Sequence, residues 1–309
     1  MLHDENRTNG RRGYTAAVIF SVLVGFSFLT IKVCQKYAGS INILCYRYDF
    51  AFAAAAVLFA AGILKFNIRG RPKSRLLLAS SFYVGSMALQ IAGLIFATSI
   101  EGAVIFAAVP ILVKITASIF LKEKSTRRET GFICLTVAAL IVMIVMGAAD
   151  VSINPAGALL LVISSVAMAF SNVFTRSARY DYKPSEITIT IVVMGFVVFN
   201  LIMVIISFVQ GRGAADYFEP LGRPSVFAAG AYLGIGCILL SSYLMNYMLS
   251  RMEAAKASVF GNVSTAISII AGVFILGETL MWYHIVCTIL IIAGVVGLNT
   301  GSKEKKQEN

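Results

Sequence analysis

AVIFAAVPILVKITASIFLKE, residues 103 to 123, is apolar enough to cross a bilayer, yet it carries a proline and, four residues later, a lysine before closing on Leu-Lys-Glu. A hydrocarbon core of about 30 Å needs roughly 20 apolar residues at about 1.5 Å each, so the stretch reads as one membrane-spanning helix. A lysine near the middle of such a helix costs about 2.5 to 3.5 kcal/mol on insertion scales, so Lys114 needs a partner or a task. Shifted by 155 residues, the pattern returns as SVFGNVSTAISIIAGVFILGE, residues 258 to 278, with Glu123 over Glu278 and Lys114 over Ile269. The fold turns on this repeat.

The rest of the chain is of the same character. Of its 309 residues, 58% are hydrophobic and 13% charged, and the mean hydropathy is +0.83, outside the range of soluble domains. Apolar stretches long enough to span occur at residues 14–34, 42–64, 76–98, 102–121, 131–149, 156–175, 187–209, 226–249, 257–277 and 280–299. The first follows Arg11 and Arg12 as a signal peptide would, but it is long and lacks a small-x-small cleavage site, so it reads as a retained helix. Upstream of the repeated pair, FYVG (82–85) resembles AYLG (231–234) at an offset of 149. The expected organisation is a tail over 1–13, a five-helix unit over 14–149, a second over 150–299 and a basic tail over 300–309. Five is odd, so the second unit enters the membrane from the opposite side. The fold class expected is all-α integral membrane, with ten transmembrane helices in two inverted-topology five-helix repeats.

A net charge of +11 would suggest nucleic acid if the basic residues formed one patch. They divide by side instead. Twenty of the 26 lysines and arginines lie at the N-terminus, in the loops after spans 2, 4, 6 and 8, and in the C-terminal tail, whereas the opposite side has only Lys32, Lys36, Arg212 and Arg223. By the positive-inside rule both termini are cytoplasmic, in a plasma or inner cell membrane, and no nucleic-acid partner is implied. The five cysteines fall in or beside the spans without CxxC spacing and read as packing residues.

Two halves, each with a helix closed by a Lys/Gly-Glu pair (FLKE 120–123, ILGE 275–278) and followed by an alanine- and glycine-rich last helix, resemble the EamA-like family of the drug/metabolite transporter superfamily. The resemblance covers residues 14 to 299. It implies a carrier in which the fifth and tenth helices brace the bundle and the others line a central cavity. It also implies export of amino acids, other metabolites or toxic compounds; distant relatives exchange nucleotide sugars or phosphorylated sugars. The chain departs from the family at LKE (121–123), where glycine is commoner, and at Lys114, where a small residue is usual.

Helical spacing places Ala103, Ala107, Pro110, Lys114 and Ala117 on one stripe and the bulky Ile105, Leu112, Ile115 and Ile119 opposite. In the second copy these become Ser258, Asn262, Thr265, Ile269 and Gly272, against Phe260, Ile267, Ile270 and Phe274. Small residues suit helix contacts or a cavity wall, and large aliphatics suit lipid, so the first stripe is expected to face protein. Pro110 marks either a midplane site or a tolerated kink. Lys114 meets a substrate anion, pairs with an acid of another helix, for which Asp49 is the candidate, or snorkels to the cytoplasmic edge. In YRYDF (46–50), Arg47 and Asp49 point to nearly opposite sides; Arg47 is a cavity residue or a tie to a neighbouring helix, and the aromatic residues a cavity wall or an interfacial belt. The substrate-binding or cavity candidates are Lys114, Arg47, Asp49, Pro110, Asn262 and Thr265. Glu101 and Glu253 read as loop acids or gates, Glu123 and Glu278 as capping or bracing groups, and Thr126 with Glu129 as a capping box.

No nucleophile elbow, HExxH pair or metal-ligand cluster is present, so neither an enzyme nor a cofactor or metal is expected. No ATP-binding loop occurs, so transport energy would come from a proton or other ion gradient, or from a counter-substrate. The expected function is a secondary transporter that moves a small metabolite or drug-like solute, such as an amino acid or other carboxylate, across the lipid bilayer by alternating access. The alternatives are a non-transporting receptor or assembly factor and an exchanger of phosphorylated or nucleotide-linked metabolites.

Overall fold

A computed structural model describes the backbone of residues 2–64, 66–120, 126–149, 154–211, 213–251 and 254–307. Side chains are described except at 2–12, 144, 147–149, 214–215, 246, 249–251, 254–259, 262 and 298–307. Among the described residues every regular element is helical. In chain order they are α1 (Leu2–Gly25), α2 (Ser27–Gln35), α3 (Ser40–Ala60), α4 (Ser74–Phe96), α5 (Ser99–Ala107), α6 (Val109–Phe120) and α7 (Arg127–Ala149). There follow α8 (Pro155–Ala178), α9 (Pro184–Gln210), the short α10 (Ala214–Leu221), α11 (Pro224–Ala231), a π-helical segment (Tyr232–Leu240), α12 (Ser241–Arg251), α13 (Ala254–Leu276) and α14 (Trp282–Gln307).

Among the described residues, seven helical stretches are long and apolar enough to cross a membrane: Gly13–Gln35, Ser40–Ala60, Ser74–Phe96, Ser99–Phe120, Pro155–Ala178, Pro184–Gln210 and Pro224–Met245. Val263–Leu276 and Trp282–Gly297 are shorter apolar helices. The chain is a multi-pass membrane protein. Its outer surface carries Phe208, Phe274 and Val209, exposed by 89%, 83% and 77%, which in water would be untenable and in lipid is favourable.

Local chemistry sets the helix ends. Prolines at the first turns of α8, α9 and α11 spare a hydrogen bond that is unmade there anyway. Thr98 and Glu101 form a capping box on α5, and Glu129 accepts the Thr126 N–H at 2.8 Å while its own N–H reaches the Thr126 hydroxyl at 3.2 Å. Glu101 is therefore a buried cap, not a solvated loop acid.

Small residues bring the helices together. α4 runs along α8, where Ser86 and Ser164 each donate to the other's backbone carbonyl at 2.8 and 2.7 Å. α3 packs on α9, α7 on α14, α1 on α13 and α12, α5 on α13, α6 on α8, and α4 on α9. Gly195 of α9 lies against the Tyr48 ring and Gly234 against the α3 backbone at Arg47. Tyr46 and Tyr48 are wholly buried, and Phe52 stacks on Phe196 at 4.3 Å, so the aromatic residues of α3 are packing groups and not an interfacial belt.

Candidate functional site

Three transmembrane segments are interrupted, each for an identifiable reason. The first breaks between α1 and α2 at Gly25-Phe26-Ser27. The Leu23 carbonyl at this break is taken by the Tyr232 hydroxyl at 2.5 Å and the Cys237 thiol at 3.4 Å. The second breaks between α5 and α6, where Pro110 has no N–H to give the Phe106 carbonyl. Here Ala108 bonds back only three residues, to Ile105 at 3.2 Å, and Ile111 likewise to Ala108 at 3.0 Å. The third is the π-helical run through Gly234 and Gly236.

The interruptions meet at a cavity of about 370 Å³. Val24, Ser27 and Phe28 line it from the first, Ala107, Val109 and Pro110 from the second, and Cys237 and Ser241 from the third. α13 adds Gly261, Ser264, Thr265 and Ser268, a small-residue stripe at helical spacing. α4 contributes Tyr83, Met87 and Gln90, and α8 contributes Met168 and Asn172. A Cβ on Gly261 would meet no atom within 4 Å, so this glycine opens space.

Arg47 of α3 also lines the cavity. It is 4% exposed, and its Nε and Nη1 have no hydrogen-bond partner. Asp49, two residues on, faces elsewhere. It accepts hydrogen bonds from Asn200 Nδ2 at 2.7 Å and from the Tyr217 hydroxyl. Burial first, and then the bond to this carboxylate, push the Tyr217 phenol above its ordinary range, which keeps it a donor. The Tyr46 hydroxyl donates to the Tyr217 carbonyl at 2.5 Å, so α10 is fastened over the end of α3.

Of the expected site residues, the structure brings Arg47, Pro110 and Thr265 together in the lining. The side chain of Asn262 lies outside the described residues, as do Glu123 and Glu253. Two expectations are corrected. Lys114 is not part of the lining and does not pair with Asp49: its Nζ lies 3.7 Å from Glu129, at the start of α7, and Asp49 is held by Asn200 and Tyr217. The lipid stripe is also narrower than expected, because Ile105 is buried and Ile267 packs where a Cβ on Gly25 would sit. The break explains the first correction. Tight three-residue turns at Ala108 and Ile111 advance the helix by about 120° per residue instead of about 100°, so α6 is rotated relative to α5 and Lys114 leaves the stripe. Uncharged polar residues inside apolar spans, Gln90, Asn172, Ser264 and Ser268, were the missed signal.

Glu278 behaves as a capping group. Gly277 takes a left-handed φ of 68° that ends α13. The carboxylate then accepts from the Ser99 N–H at 2.8 Å, the Ser99 hydroxyl at 2.7 Å and the Ile100 N–H at 3.1 Å. The second half thereby caps a helix of the first.

The EamA-like transporter family model matches residues 11–145 and 155–300, two copies that account for nearly the whole chain. The chain belongs to the EamA-like transporter family. Two Bacillus subtilis (strain 168) proteins, both named as uncharacterized transporters, are similar to it over most of their length. YcxC is 37% identical over 94% of each chain, and YyaM is 24% identical over 92% of each. A protein of known crystal structure is 14% identical with a TM-score of 0.64, covering 96% of this chain and 98% of its own, which shows a shared fold. In this EamA-like protein the junction between the two matched copies falls before α8, and residues from both copies line the cavity.

Proposed function

We propose that this protein is a secondary transporter with ten membrane-crossing helices in two inverted five-helix repeats, 14–149 and 150–299, which carries a small solute through the central cavity by alternating access. The observation that carries this reading is the meeting of three interrupted helices and a small-residue face of α13 at one polar-spotted cavity. Its volume is at the low end of the roughly 300 to 1,000 Å³ of ligand pockets, which suits a small metabolite.

The helix packing supports the inversion. A two-copy repeat exchanges each span with the one five places on, so most contacts should have an image, and an odd five spans to a copy makes the copies inverted. The contact of α5 with α14 is an exception, without a comparable image. The contact of α4 with α8 has its image in that of α12 with α1, α1 with α13 in α6 with α8, and α3 with the π segment in α9 with α4. Contacts of α3 with α9, α5 with α13 and α7 with α14 are their own images. Export is the direction that the family resemblance implies, driven by a proton or counter-substrate.

The test needs no substrate. In a protein freed of its five cysteines, Thr265→Cys should react with a membrane-impermeant maleimide from either side of the membrane, and Gly261→Leu, whose Cβ enters open space, should block both reactions. Reaction from one side only would mean a fixed pocket and would exclude the carrier.

A further inference from the structure

Among the described residues that line the cavity, Arg47 is the sole ionic side chain, 4% exposed, with Nε and Nη1 lacking any hydrogen-bond partner. A guanidinium inside a membrane protein is costly and is ordinarily paired with an acid or with carbonyl groups. Here the carboxylate nearest in sequence, Asp49, is already held by Asn200 and Tyr217. The backbone of α3 is pinned at this level by the close approach of Gly234. The side chain thus leaves a pinned backbone, and its Nε and Nη1 have no acceptor among the described residues. An arginine fork matches a planar carboxylate with two parallel hydrogen bonds.

From this arrangement we infer that Arg47 is the substrate's anion site and that the transported solute is an organic monocarboxylate with a largely apolar body. The inference rests on the carrier reading and narrows it. One guanidinium neutralises one negative charge, and among the described lining residues no second cation stands ready to balance a phosphate dianion. Likewise, among the described lining residues no acid would receive the ammonium of a zwitterionic amino acid, whose desolvation would go uncompensated there. Away from Arg47 the wall is Phe20, Phe28, Phe106, Met87, Met168 and Met245, surfaces that accept varied apolar shapes. Gln90 and Asn172 offer neutral hydrogen bonds to a substituted body.

Four matched probes test this with the purified protein: 3-phenylpropionate, its neutral amide 3-phenylpropionamide, the zwitterion phenylalanine and phenyl phosphate. Thermal unfolding is measured against each in wild type, Arg47→Met and Arg47→Lys. The expected result is a concentration-dependent rise in wild-type Tm with phenylpropionate and a much smaller one with the other three. Arg47→Met should weaken phenylpropionate binding about tenfold to a hundredfold, the worth of a charged hydrogen bond. Arg47→Lys, which keeps the charge and loses the fork, should fall between. If Arg47→Met does not fold, the wild-type comparison of carboxylate with amide still decides. An amide as effective as the acid overturns the anion site, as does full binding by Arg47→Met or no stabilisation by any probe. A preference for phenylalanine or phenyl phosphate overturns the monocarboxylate. None of these outcomes touches the two-sided labelling of Thr265→Cys, on which the carrier reading stands separately.

Discussion

At the scale of single residues, geometry separates the intramembrane charges: Lys114 and Asp49 are held by other side chains, whereas Arg47 lines the cavity. Lys114 has a carboxylate 3.7 Å away that is itself buried, so its ammonium ties α6 to the first turn of α7. Lys114→Met should therefore lower stability by about 1 to 3 kcal/mol, between the values for exposed and buried pairs, while Thr265→Cys labelling stays two-sided. With Glu129→Gln added, the two losses should be less than additive, because both changes break the same pair; additive losses in the thermal-unfolding cycle would show that the two groups do not interact. Tyr217 is a second structural case. Its phenol is held neutral at physiological pH by burial and by Asp49, so Tyr217→Phe removes a donor from a carboxylate and should cost about 1.5 to 3 kcal/mol in chemical denaturation. A loss under about 0.5 kcal/mol would mean that Asn200 alone satisfies Asp49. Most of these partners were not legible in the sequence. Lys114 shows why: its small-residue stripe assumed a continuous helix, and three-residue turns beside Pro110 broke the phase. No partner of Arg47 was legible, and among the described residues its Nε and Nη1 have no hydrogen-bond partner.

At the scale of elements, more could be read in advance. The Thr126–Glu129 capping box and the Gly-Glu helix end were visible because each depends on residues close in sequence, and the apolar stretches because hydrophobicity over about 20 residues leaves few alternatives. The Thr98–Glu101 box is equally local, but reading Glu101 as a loop acid or gate passes it over. What Glu278 caps was not visible: its three donors come from residues 99 and 100, nearly 180 positions away. The helix breaks make testable claims. Pro110→Ala restores the hydrogen bond to the Phe106 carbonyl and should leave Tm unchanged or raised, since proline in a helix interior costs about 3 kcal/mol. The break is also part of the cavity wall, so the same variant should slow Thr265→Cys labelling on one side or both. Equal labelling rates would reduce Pro110 to a tolerated kink. Gly234→Val is the complementary case. A Cβ there would meet the Arg47 carbonyl and lie 2.9 Å from the Ala51 nitrogen, so α3 must move away. The expected cost is about 1 to 3 kcal/mol of stability, as for other overpacked contacts. Phenylpropionate binding should weaken with it, because Arg47 rides on that backbone; a Gly234→Val protein with intact binding would separate the helix contact from the site.

At the scale of the whole molecule, the unequal distribution of basic residues and the contacts between loops bear on the same question. Twenty lysines and arginines in the tails and one set of loops against four in the other set predict, by the positive-inside rule, that both termini are cytoplasmic. Independently, Arg71, in the loop after α3, reaches Glu186 at the start of α9 at 2.9 Å and the Asp181 carbonyl at 3.0 Å, so two loops assigned to the basic side do share an end of the bundle. On the other end, Asn42 donates to the Asp216 carbonyl at 3.3 Å and Ser99 binds Glu278 at 2.7 Å, joining loops assigned to the opposite side. Lys73 and Asp216 are exposed residues of the two ends, and replacing either leaves those backbone contacts in place. The exposed Cys134 would react in either variant, so it is first changed to alanine. In intact cells a membrane-impermeant maleimide should then label Asp216→Cys at once and Lys73→Cys only after permeabilisation. The reverse pattern would invert the whole bundle and with it the proposed direction of export. Labelling of both from the outside would place Lys73 and Asp216 on one face, an even number of crossings apart, and the inverted five-helix repeat could not stand.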